Sequence, residues 1–182
     1  MNQDQIKQLN EAVEAVKTRK IENVYFVACG GSKAIFDPAQ FIFDRETTLP
    51  SFVYNANEFI HRCPKGLGEN SLVVTCSHSG NTLETTRATQ LAGDKGALTI
   101  SFSYRVDSPL WKATQHPISY VWGPESNPGD NNNGMLYRLV FSILNVLQPN
   151  EKYERAIKAC DNLGKVYEAN KAKFAESAKA FG

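Results

Sequence analysis

The chain has 182 residues, 42% of them apolar and 21% charged, with 12 Gly and 8 Pro; this suits one sizeable core and is too short for two full domains of ~150 residues each. Its 20 Lys and Arg against 19 Asp and Glu give a net charge of +1, which leaves no cationic surplus for a nucleic-acid backbone. The polar start, MNQDQIKQLNEAVEAVKTRK, lacks the apolar stretch of a secretory signal, and no apolar run approaches the ~18 residues of a membrane span, so a cytoplasmic protein is expected, with neither nucleic acid nor membrane as partner.

Ile6, Leu9, Val13 and Val16 recur at helical spacing and predict an amphipathic helix over residues 3–18. Residues 23–29 form a continuous apolar run rich in β-formers, the pattern of a strand buried on both faces of a parallel sheet, and the run ends at Gly30-Gly31-Ser32. A helix over 32–45 is expected next, with Pro38 confined to its first turn or kinking it. A second strand over 51–55 leads into a short helix over 57–61 that stops before Pro64. The third strand, 71–76, turns through Ser77-His78-Ser79-Gly80-Asn81-Thr82 into a helix that reaches about Ala92. A fourth strand over 97–103, a short helix opened by Ser108-Pro109 and a fifth strand over 118–122 follow. Residues 123–134, rich in Pro, Gly and Asn, predict a loop, and 135–147 a strongly apolar helix whose bare surface suggests a homo-oligomer. Beyond Pro149-Asn150 a long, more polar helix runs to the end. Strands alternating with helices define the class as α/β: a doubly wound, five-stranded parallel sheet with helices on both faces and right-handed crossovers. The cysteines, Cys29, Cys63, Cys76 and Cys160, have no CxxC pair and no His at ligand spacing, so they read as inert thiols and not as a zinc site or a disulfide framework.

In such a sheet, ligands bind outside the carboxyl ends of the strands. The turns at Gly30-Gly31-Ser32 and at Ser77 to Thr82 both fall there, and both open helices. A helix start offers unpaired N–H groups and a partial positive charge; with the hydroxyls of Ser32, Ser77, Ser79 and Thr82 it makes a cradle for a phosphate dianion, and Gly80 lets the backbone come close. The plainer reading is that these hydroxyls only cap helices. A dinucleotide fold is excluded by the lack of GxGxxG and of an acid closing the second strand, which ends in Tyr54-Asn55. A Walker loop is excluded because no Gly-Lys-Ser/Thr occurs.

Val24 to Ser32, Asn57-Glu58-Phe59, Ser77-His-Ser-Gly-Asn-Thr-x-Glu84 and Asp107-Ser-Pro-Leu110 together resemble the sugar isomerase (SIS) domain of phosphosugar-binding proteins. More closely, they are similar to the first half of the deglycases that act on fructosamine 6-phosphates. The resemblance, from about residue 20 to the end, implies a flavodoxin-like strand order and a phosphate held by Gly31, Ser32, Ser77, Ser79 and Thr82 with the backbone of His78. It implies no cofactor and no metal, and as partners a 6-phosphorylated ketose or ketosamine and a second SIS half. Residues 1–150 would then be the SIS domain with its N-terminal helix, and 151–182 a long helix leading to that second half. In those relatives the acid/base Glu and His belong to a Ser-Gly-Glu-Phe-x-His-Gly-Pro-like motif of the second half, which this sequence lacks.

The segment Asn57 to Pro64 matches that motif in outline, so Glu58 and His61 invite a catalytic reading, although a structural or interface role is the stronger one. His78 suits a packing or supporting hydrogen bond because its side chain alternates away from Ser77 and Ser79. Glu84 is either a helix-dipole partner or a functional acid. Asn132 and Asn133 fall where relatives carry small hydroxyl residues near the sugar, so their amides either bind sugar hydroxyls or belong to a turn. The leading expectation is half of a ketosamine 6-phosphate deglycase; an aldose–ketose isomerase and a non-catalytic phosphosugar sensor are the alternatives.

Overall fold

The structure, a computed structural model, describes residues 1–124 and 126–181. Strands β1 (Asn23–Ala28), β2 (Ser51–Asn55), β3 (Ser71–Cys76), β4 (Leu98–Ser103) and β5 (His116–Ser119) form a parallel sheet in the order β2-β1-β3-β4-β5. This is the doubly wound architecture expected from the alternation, in the flavodoxin-like order. β5 starts and stops earlier than the sequence suggests. Its register pairs Ile100 with His116 and Ser103 with Ser119, so Tyr120 to Trp122 leave the sheet, and Val121 N donates instead to Asp130 O at 2.8 Å. Pro117 is tolerated inside β5 because this is an edge strand, where a missing N–H breaks no ladder bond.

Helix α1 (Gln3–Lys17) is opened by a capping box in which Asn2 accepts from Gln5 N and Gln5 Oε1 accepts from Asn2 N. Its buried stripe is Gln5, Leu9, Ala12 and Val16, while Ile6 is 42% exposed. The helix is rotated from the expected face because two glutamines serve the sheet edge. Gln5 Nε2 donates to Ser119 O at 3.3 Å, and Gln8 Oε1 accepts from Ser119 N at 2.8 Å, which covers part of the open edge of β5.

The helix expected after β1 is two: α2 (Gly30–Ala34) and α3 (Phe36–Glu46), parted at Ile35. Pro38 lies in the first turn of α3, where its absent N–H would have been unpaired anyway. α4 (Ala56–Arg62) and α5 (Leu83–Asp94) cover one face of the sheet with Tyr25, Val27, Val73, Phe59, Ala88 and Ala92 in their core. α1, α3 and α7 (Asn132–Leu147) cover the other over Val24, Phe26, Leu72, Val74 and Ile100. α6 (Pro109–Ala113) leans on α5, and α8 (Glu151–Phe181) packs along α7.

α7 starts at Asn132, inside the expected loop, because Asn131 caps it by accepting from Gly134 N at 3.0 Å. The apolar surface of α7 is spent inside the chain: Met135, Leu136, Leu139, Ile143 and Leu144 are buried beneath α1, α3 and α8. The ground on which the sequence suggested an oligomer is thereby removed. Arg138, only 3% exposed, ties this layer together through Gly129 O, Cys160 O at 3.0 Å and Asp161 at 3.0 Å.

Candidate functional site

The strand pairing brings Ala28 level with both Asn55 and Cys76, and Cys76 level with Phe102. The chain leaves β1 towards β2 on one side, while β3 lies on the other, so the crevice of a doubly wound sheet opens at the carboxyl ends of β1 and β3. Both hydroxyl-bearing turns stand at that crevice. Thr85 Oγ1, in the first turn of α5, donates to Cys29 Sγ at 3.9 Å and ties that helix to the end of β1. Burial pushes the Cys76 thiol up to about 12, so Cys76 is a neutral part of the floor.

The turn after β3 is held from several sides. Ser77 N donates to Phe102 O at 3.1 Å, prolonging the sheet by one bond, and the Ser77 and Thr82 hydroxyls share a 2.9 Å hydrogen bond across the turn. Ser79 Oγ accepts from Asn81 N at 3.2 Å. Gly80 N donates to Ser77 O at 3.1 Å with Gly80 at φ +67, a left-handed conformation that side chains rarely adopt. A Cβ there would stand 2.0 Å from Ser108 Oγ, and Leu110 N donates to Gly80 O at 3.0 Å. The glycine therefore makes room for α6, a reason that the sequence alone, read for anion approach, did not supply.

Helix α5 leaves this turn without a side-chain cap: Thr82 bonds Ser77 instead of the helix, while Thr82 O accepts the first helical bond from Thr86 N at 3.0 Å. Cys29 likewise makes no capping bond to α2. The plain reading of these hydroxyls as N-caps is not realised, and the first N–H groups of α5 face the crevice edge without intrahelical partners. Ser77 is buried, Ser32, Ser79 and Thr82 are half-buried, and Gly31 and His78 are exposed.

The remaining candidates are scattered. Glu58 and His61 sit on α4 beyond β2; both are exposed, and the Glu58 carboxylate is 3.1 Å from the Arg62 guanidinium, which in turn lies over the Tyr54 ring. Glu84 is exposed in the first turn of α5. Asn132 and Asn133 open α7, past the loop that hangs from β5, and Asn132 Oδ1 accepts from Asn133 N at 3.0 Å. A cleft of 350 Å³ between the loop at Pro124 to Pro128 and α8 shares no residue with either turn. Among the described residues no group of three His, Cys, Asp or Glu side chains is placed to hold a metal, and no helix is long and apolar enough to cross a membrane.

Sequence reasoning missed the surroundings of His78. Its Nδ1 is 2.9 Å from Tyr120 Oη, its ring stacks on Tyr104 with centroids 5.2 Å apart, and Trp122 meets it edge-on at 5.1 Å. The available signal was position: Tyr104 and Tyr120 each directly follow a strand, on the edge where ligands bind.

A parallel α/β sheet with hydroxyl-lined, uncapped turns at the ends of β1 and β3, on either side of its switch point, defines a doubly wound domain. The chain belongs to the SIS domain family, whose model matches residues 17–147. It is 46% identical over 176 residues to the fructosamine deglycase FrlB of Bacillus subtilis, covering 96% of this chain and 54% of that protein. It is 34% identical over 108 residues to the fructoselysine 6-phosphate deglycase of Escherichia coli, covering 59% of this chain and 32% of that one. A Bacillus subtilis crystal structure described as a phosphosugar isomerase superposes with a TM-score of 0.91 at 45% identity, over 96% of this chain and 54% of that chain. The chain thus spans about half the length of the Bacillus relative.

Proposed function

We propose that this chain binds a 6-phosphorylated ketose or ketosamine in the crevice between β1 and β3, as one half of a cytoplasmic fructosamine 6-phosphate deglycase. The observation that carries the reading is the pair of uncapped, hydroxyl-bearing turns at the carboxyl ends of the neighbouring strands β1 and β3, Gly31-Ser32 and Ser77 to Thr82. The resemblance to two deglycases over this half supports the substrate class. In the complete reaction a proton moves between C1 and C2 of the ketosamine, leaving a Schiff base at C1. Water adds to it, and the C–N bond breaks to give aldose 6-phosphate and free amine. This chain contributes phosphate anchoring. Glu58, engaged by Arg62, is a poor acid/base candidate. A second SIS half is the proposed source of the missing groups, and assembly with another copy is proposed with it.

Titration calorimetry tests the anchor. Ser79→Ala with Thr82→Ala is expected to weaken fructose 6-phosphate binding at least ~10-fold, since charge-assisted hydrogen bonds contribute roughly 1.5–3 kcal/mol each. Unchanged affinity overturns the assignment. The lone chain is expected to release no glucose 6-phosphate from fructoselysine 6-phosphate; rapid turnover abolished by Glu58→Gln would make α4 catalytic. An isomerase reading, favoured by the name of the similar crystal structure, predicts aldose–ketose exchange by the assembled protein without amine release.

A further inference from the structure

His78 lies between Ser77 and Ser79, but its ring turns out of that turn into an aromatic group. Tyr104 stacks nearly parallel to it, at 5°, and Trp122 stands across its edge at 70°. Tyr104 N donates to His78 O at 3.1 Å, fastening the two loops. Tyr120 is buried at 3% exposure, and burial pushes its phenol pKa up, so it remains a neutral O–H whose 2.9 Å bond to Nδ1 fixes the imidazole plane. Tyr104 and Trp122, by contrast, are 44% and 55% exposed. Two large rings thus pack on His78, which the buried Tyr120 holds in place, while part of their surface stays in water, on the same sheet edge as the phosphate cradle.

We propose that Tyr104 and Trp122, braced by His78, form the subsite that receives the amine-bearing end of a ketosamine 6-phosphate. This rests on the cradle reading given above. At neutral pH the amine on C1 of a ketosamine is a secondary ammonium flanked by methylene groups. Aromatic rings attract such a group twice over, through the quadrupole of the ring and through burial of the methylenes. A ketose phosphate has only a hydroxyl at C1 and gains neither. The wall therefore discriminates by the amine, whereas the cradle discriminates by the phosphate, and His78 joins the two because it belongs to both.

Calorimetry on the 182-residue chain with fructoselysine 6-phosphate and fructose 6-phosphate separates the two readings. The wild-type chain is expected to prefer the ketosamine phosphate. Trp122→Ala with Tyr104→Ala should lower affinity for it roughly fivefold or more and leave fructose 6-phosphate within about twofold. Trp122→Phe with Tyr104→Phe should retain the preference. Equal weakening of both ligands, or a preference unchanged in the alanine variant, overturns the wall while leaving the cradle standing. Failure of the wild-type chain to bind either sugar phosphate overturns the cradle and the wall with it.

Discussion

Gly80 shows how much of the site depends on one absent atom. Its φ of +67 and the 2.0 Å that would separate a Cβ from Ser108 Oγ make any substitution doubly unfavourable, through the backbone and through the clash with α6. Gly80→Ala is expected to cost at least ~2 kcal/mol of stability by urea denaturation, combining left-handed strain with overpacking. Replacing Ser108 with Gly in the same chain should recover only the clash part, because the backbone strain remains. Full recovery would mean that the positive φ carries no cost. Thr82 makes a different point: a residue of N-cap type at an N-cap position that spends its hydroxyl on Ser77, leaving the helix open to an anion.

Helix α8 is anchored near its start and free near its end. Glu46, at the end of α3, meets the Lys152 ammonium and accepts from Tyr153 Oη at 3.0 Å, and these partners hold its carboxyl below the usual range. Because the folded pKa lies below the unfolded value of about 4.3, the clasp contributes in full above that value and is lost as pH falls through the lowered one. Amides in the first turns of α8 are therefore expected to lose hydrogen-exchange protection on acidification below about pH 4, and Glu46→Gln should erase that dependence. Protection falling equally in both proteins would show that another group controls it.

Considered as a whole molecule, the chain leaves one apolar seam uncovered. Tyr153, Cys160, Tyr167, Phe174 and Phe181 recur every seven residues along α8; the first two are buried, while Phe174 and Phe181 are 51% and 93% exposed. The seam that packs α8 near its start thus continues past the body of the domain, and a seven-residue repeat suits another helix. Light scattering is expected to show concentration-dependent self-association of the chain, reduced by Phe174→Glu. A monodisperse monomer at high concentration would count against it. The sequence pointed to α7 for this role, but α7 is the most apolar helix because it is covered from several sides, and composition cannot distinguish a buried helix from an exposed one.

The short apolar runs rich in β-formers, bounded by turn residues and alternating with helical patterns, by themselves determined the α/β class, the strands β1 to β4 and the placement of both hydroxyl-bearing turns at strand ends, because runs of five or six such residues are too short for buried helices. Ser77, Ser79 and Thr82 could be named on the same grounds. Only the tertiary structure decided what depends on neighbours distant in the chain. The β5 register follows from pairing with β4, and the break at Ile35 between α2 and α3 appears only in the fold. The rotation of α1 follows from Gln5 and Gln8 serving Ser119. The wall around His78 is the clearest case: Tyr104, Tyr120 and Trp122 lie 26 to 44 positions away, and nothing local to any of them announces a partner. Parallel strand order alone brings their loops to one edge, since side-chain packing is set by position in space and not by distance along the chain.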